Sequence, residues 1–190
     1  MEPLLWTRLL ALFAAHGGLP NGTIVDSGAN DGTTGAMLAK HFPAHTVLCV
    51  EPVLTNVEII YKTKPGNMRV VHGGLGETYG FDSYPSSLDR EKGSIRVQIG
   101  ALQIYKKHRR AQERSPFPIY PLSALVRQSR LVFLHLDVEG AEVSALRGAK
   151  AVIARDRPFL TAETFPVSNA TNHLLLTTTL RSMGYLCELV

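Results

Sequence analysis

Short apolar runs alternate along this chain with stretches that repeat at helical spacing. Residues 4–16 form the first helical stretch, with Leu5, Leu9, Leu12 and Phe13 on one face and Gly17-Gly18 and Pro20 as its stop. Residues 23–26 predict a strand that ends in an acid, and residues 33–41 a helix closed by Pro43. Thr-Val-Leu-Cys-Val-Glu at 46–51 predicts the second strand, 53–62 a helix stopped by Pro65-Gly66, and 69–72 the third strand. Later come a strand at 131–138, a helix at 142–155, a strand at 158–163, a helix at 169–183 ending at Gly184, and a last strand at 185–190. Such alternation predicts an α/β fold, a parallel sheet with helices on both faces. Ligands then bind at the carboxyl ends of the strands, where the strand order switches.

Residues 73–123 break the rhythm. They hold turn residues, a candidate strand at 94–99, a basic segment, and Pro116, Pro118 and Pro121. The core of this stretch, 78–120, reads either as a substrate loop beside the binding edge or as a surface excursion without a role. No repeat is present, and 190 residues fit a single domain, with 1–20 as its N-terminal helix.

Composition narrows the classes. Hydrophobic residues make up 45% and charged residues 19%, a globular balance. The net charge of +4 is concentrated at Lys106, Lys107, Arg109, Arg110 and Arg114. That cluster reads as a solvated face or as a patch steering an anionic substrate. No aromatic residues are interleaved with it, which argues against nucleic acid. The two cysteines, Cys49 and Cys187, lie in apolar runs; they form neither a disulfide framework nor a zinc spacing, and no metal ligands are assigned. A reducing, cytoplasmic location is expected. No apolar run reaches transmembrane length. Residues 9–15 imitate the apolar core of a signal peptide, but the shared helical face favours a helix packed on the sheet.

The candidate chemistry begins at Asp26-Ser27-Gly28-Ala29-Asn30-Asp31-Gly32, between the first strand and its helix. Glycines there let backbone approach a ligand, and the helix N-terminus offers N–H groups. Asn30 stands where a dinucleotide site needs its second glycine. Asp26 repels phosphate and suits a cation, such as the amino group or sulfonium of S-adenosylmethionine. Glu51, at the end of the second strand, is placed to take both hydroxyls of a ribose.

A second group is His135-Leu136-Asp137-Val138-Glu139-Gly140-Ala141-Glu142. Asp137 and Glu139, two apart on a strand, point to one side and can bind a metal, hold an amino group or deprotonate a hydroxyl. Glu142 reads as a helix N-terminal acid. His135 reads equally as a catalytic group or as a core histidine. Glu163 ends its strand on the same rim as Asp26, Glu51 and Asp137, and His72 lies near it.

The runs 25–32, Glu51-Pro52 and 136–142, with Arg157-Pro158 and Glu163, resemble FkbM-type S-adenosylmethionine-dependent methyltransferases over roughly residues 20–186. The resemblance implies a three-layer, Rossmann-like class I methyltransferase fold and O-methylation of a hydroxyl on a small metabolite, sugar or glycan. It implies that Asp26 and the loop Gly28, Ala29, Asn30 and Gly32 hold the methionine part of the cofactor, and that Glu51 holds the ribose beside Pro52. Gly74 and Leu75 would lie near adenine, and Asp137 and Glu139, with His135, at the transfer site. Ser27 replaces the family's usual aliphatic residue and His135 a frequent lysine. Val190 falls at the strand that begins the family's terminal hairpin, so the last strand is not accounted for. The rival readings are a nicotinamide-dependent oxidoreductase and a catalytically silent cofactor- or partner-binding domain.

Overall fold

The computed structural model describes residues 3–86, 113–164 and 170–189. The elements run α1 (Pro3–Ala15), β1 (Thr23–Ser27), α2 (Thr33–His41), β2 (Thr46–Glu51), α3 (Leu54–Thr63), β3 (Met68–His72), β4 (Gly74–Leu75), β5 (Gly80–Pro85), β6 (Arg114–Tyr120), α4 (Leu122–Leu125), β7 (Leu131–Leu136), α5 (Glu142–Asp156), β8 (Phe159–Ala162) and α6 (Ala170–Ser182). Five strands form one parallel sheet in the order β3-β2-β1-β7-β8. The chain builds outward from β1 to β3, then returns to the other side of β1. The switch point is therefore between β1 and β7, where a crevice opens at the carboxyl ends of the strands.

Both faces of this sheet are apolar, as the unbroken runs in β1, β2 and β7 require. On one face Ile24, Val47 and Phe133 pack with Leu9 and Phe13 of α1, Leu38 of α2 and Ile60 of α3. On the other, Val25, Leu48 and Leu134 pack with Leu146, Val152 and Ile153 of α5 and Leu176 and Leu180 of α6. The first helix is thus packed on the sheet, with Phe13 edge-on to Phe133 and Phe159 at 5.5 and 4.9 Å between ring centroids. Its buried stripe is Leu9 and Phe13, with Leu5 partly buried, while Leu12 turns outward.

The structure departs from the sequence expectation in two places. Within 73–123, where the sequence suggests a strand at 94–99, β4, β6 and β5 form a second, three-stranded sheet. Pro116 and Pro118 lie within β6, two residues apart, so their missing N–H groups fall on one edge of the strand. The other edge keeps its donors and pairs antiparallel with β5. One face of this sheet buries Tyr84 and Phe117 against Val53, and the Leu54 N–H donates to the Tyr84 hydroxyl at 3.1 Å. α5 approaches closely here, since a Cβ on Gly148 would lie 1.9 Å from the Gly76 carbonyl oxygen. The expected strand at 94–99 and the basic residues 106–110 lie outside the described residues. Arg114 opens β6 and donates to Ser83.

The second departure is at 185–190. Residues 185–189 form no strand. The Arg157 guanidinium instead takes the carbonyls of Met183 and Gly184 and lies 4.7 Å from the Tyr185 ring centroid. The Tyr185 hydroxyl donates to Pro158 O at 2.9 Å. Side-chain bonds thus anchor the segment, leaving Leu186 and Leu189 exposed.

Candidate active site

A cleft of about 300 Å³ lies at the switch point. Asp26, Gly28, Ala29, Asn30, Glu51, Pro52, Gly74, His135, Asp137 and Glu139 all line it, so the fold gathers most residues singled out in the sequence. Gly32 and Leu75 are not brought to it. Gly32 precedes α2 with its open side toward Ile60 and Met68, and Leu75 packs in the core.

The loop after β1 is shaped by left-handed residues at Gly28, Asn30 and Gly32, with φ of 81°, 51° and 82°. These turns lay the loop across β2, where the Gly28 and Ala29 N–H groups donate to Val50 O at 3.0 and 3.2 Å. A Cβ on Gly28 would lie 1.8 Å from the Asp137 carbonyl oxygen, so the two loops meet backbone to backbone. Asp31 accepts from the Thr33 N–H at 3.0 Å, and Thr33 and Thr34 at the start of α2 join the lining. Ser27 also lines the cleft, and its Oγ is buried with no hydrogen-bond partner among the described residues.

Glu51 is 3% exposed and well bonded. Its Oε2 accepts from the Asn30 N–H at 2.8 Å, and its Oε1 accepts from the Val53 N–H at 2.9 Å and Asn56 Nδ2 at 3.2 Å. Burial outweighs these bonds and pushes the carboxyl up to about 7. A carboxylate has about four acceptor positions, so the one left is on Oε2. Oε2 therefore keeps an acceptor position beyond its bond from the Asn30 N–H. Asn56, which also reaches Asn30 Oδ1 at 3.3 Å, was not singled out in the sequence. A lone asparagine in an amphipathic helix carries no signal there.

Asp26 is buried, and burial raises its pKa against the opposing charge of His135. The Gly35 N–H also donates to it. Cys49 Sγ lies 3.9 Å from Asp26 Oδ2, and burial pushes that thiol far up, so Cys49 is inert. His135 Nδ1 lies 2.8 Å from Thr161 Oγ1. His72 is held by Pro52 O at 2.9 Å.

β7 ends at Leu136, not at Val138 as expected. Asp137 leaves the sheet with its N–H on Ser27 O at 2.9 Å, and the Glu163 N–H donates to Leu136 O at 2.8 Å. Glu139 sits in a left-handed turn, φ 51°. This turn, and not strand alternation, brings an oxygen of Asp137, Glu139 and Glu163 within 4.8 Å of one another. Three carboxylates so close suit a cationic occupant, a divalent ion or a ligand ammonium. Glu142 is structural: it is buried, accepts from the Gly140 N–H at 3.0 Å and binds Asn172 at 3.2 Å.

No curated protein sequence matches the chain. Among solved structures, the crystal structure of methyltransferase FkbM from Methylobacillus flagellatus KT has the same fold, at a TM-score of 0.55 and 20% identity. The match covers 85% of this chain but 37% of that one, so the chain corresponds to a minority of its length. The family model for the methyltransferase FkbM domain matches residues 26–187, from the acid of β1 to beyond α6. With the rim acids, the left-handed loop and the switch-point cleft all inside that span, the chain belongs to the FkbM methyltransferase family.

Proposed function

We propose that the cleft binds S-adenosylmethionine and methylates a hydroxyl oxygen on a small metabolite, sugar or glycan. The observation that carries this reading is Glu51, a buried carboxylate at the end of β2 that lines the same cleft as Asp26, Asp137 and Glu139. S-adenosylmethionine supplies a methyl group on a positively charged sulfur, which departs as a neutral sulfide with the electrons of the broken bond. Glu51 would accept from a ribose hydroxyl, with Pro52 and Gly74 flanking the base. Asp26 and the loop from Gly28 to Asn30 would hold the amino-acid end. The work left to the protein is alignment and removal of the acceptor proton. Asp137 or Glu139 takes that proton, with His135 as the other polar group at hand.

Calorimetry tests the reading: S-adenosylmethionine or S-adenosylhomocysteine binds the folded protein, and no heat from either rejects it. Asp137→Asn is expected to lower kcat about 100-fold, within the range for a lost general base, while S-adenosylhomocysteine affinity changes less than about twofold. Equal losses in both would make Asp137 a binding residue only. Turnover is expected to persist in EDTA. Activity lost to EDTA and restored by Mg²⁺ would assign the three acids to a metal instead.

A further inference from the structure

Cys49, Asp26, His135 and Thr161 are register partners across β2, β1, β7 and β8. In a parallel sheet such residues stand in one row on one face. The row is polar in an otherwise apolar layer, and its two middle members line the cleft. At its outer end Thr161 Oγ1 lies 2.8 Å from His135 Nδ1. The Thr161 hydroxyl has no other hydrogen-bond partner among the described residues.

A hydroxyl beside Nδ1 can donate or accept. If it accepted, its own proton would be left to solvent, since Thr161 is half-buried and has no second protein partner among the described residues. If it donates, that proton is satisfied and the neutral ring carries its hydrogen on Nε2.

We infer that Thr161 is a positioning residue that holds His135 as its Nε2–H tautomer, which makes His135 a hydrogen-bond donor in the cleft and leaves proton abstraction to Asp137 or Glu139. The acceptor oxygen is then held by an N–H while its proton passes to a carboxylate. The tautomer is a property of the fold, while its use in catalysis rests on the methyl-transfer reading.

The test combines long-range proton–nitrogen spectra of protein labelled with ¹⁵N-histidine, recorded at about pH 8, with turnover on a panel of hydroxyl acceptors. In the wild type, His135 is expected to show a protonated Nε2 and a bare Nδ1. Thr161→Val mixes the tautomers and lowers kcat about tenfold with KM for S-adenosylmethionine within about twofold, and Thr161→Ser restores both readouts. His135→Gln, which keeps an N–H near the Nε2 position, retains more activity than His135→Ala. A wild-type ring protonated on Nδ1, or Thr161→Ser behaving as Thr161→Val, overturns the inference. If Thr161→Val fails to fold, the wild-type and Thr161→Ser spectra still decide. If no acceptor is methylated, the spectra test the tautomer alone, so failure of the activity and failure of the inference are separate results.

Discussion

S-adenosylhomocysteine is expected to bind about tenfold more weakly at pH 6 than at pH 8, through the protonation of Glu51 alone. Burial raises this carboxyl from 4.5 to about 7 in the unliganded fold. A hydroxyl donor prefers the ionised form, so binding expels the proton wherever the free site holds it. Affinity therefore climbs as pH rises through 7 and levels above it. The same shift acts on the empty fold with the opposite sign. Between pH 4.5 and about 7 the folded chain binds more protons at Glu51 than the unfolded chain does, so this residue's contribution to stability falls as pH rises through that window. Glu51→Gln keeps an acceptor oxygen without the charge and should flatten the binding profile. Glu51→Ala also leaves the Asn30 and Val53 N–H groups without their present partner, and should weaken binding at every pH. Calorimetry across pH checks all three proteins. A wild-type profile as flat as that of Glu51→Gln would remove Glu51 from the ligand.

Gly28→Ala is expected to be the most damaging single methyl in the site. The new Cβ would lie 1.8 Å from the Asp137 carbonyl oxygen, a backbone atom that cannot rotate away, at a φ of 81° that costs alanine about 1–2 kcal/mol by itself. Relieving the contact must separate the β1 loop from the β7 turn that carries Asp137. A loss of about 3 kcal/mol or more follows, which lowers Tm by roughly 6–12 °C at this chain length. S-adenosylhomocysteine binding should fall more than about tenfold, since the Gly28 and Ala29 amides hold the loop on Val50. Gly66→Ala is the control, because nothing lies within 4 Å of its Cβ position. Scanning calorimetry on both variants measures the difference, and equal melting temperatures would contradict the close approach.

The parallel sheet was legible because its evidence is local. Apolar runs such as 46–51, bounded by Pro43 and Pro52, show their period within a few residues, and Asp26 and Glu51 are placed by being the acids at strand ends. The second sheet was hidden because β6 carries two prolines that ordinarily argue against a strand. Only pairing with β5 along the edge that keeps its N–H groups makes it one. The segment 185–190 misled in the other direction. Its composition suits a strand, yet Arg157, from the far end of α5, occupies the Met183 and Gly184 carbonyls just before it.

What the sequence determined by itself was the order of elements, the rim on which the acids fall, and the loop from Gly28 to Gly32 whose turns need small or amide side chains. These follow from period, strand ends and backbone sterics, which act between neighbours in the chain. What only the tertiary structure decided was company: Asn56 on Glu51, Thr161 on His135, and Glu163 beside Asp137 and Glu139. Asn56 is an ordinary polar residue until the turn from β2 into α3 brings it to Glu51, and Thr161 until the register of β7 and β8 brings it to His135. Burial, which sets the protonation of Glu51 and Asp26, likewise exists only once the helices close over both faces of the sheet.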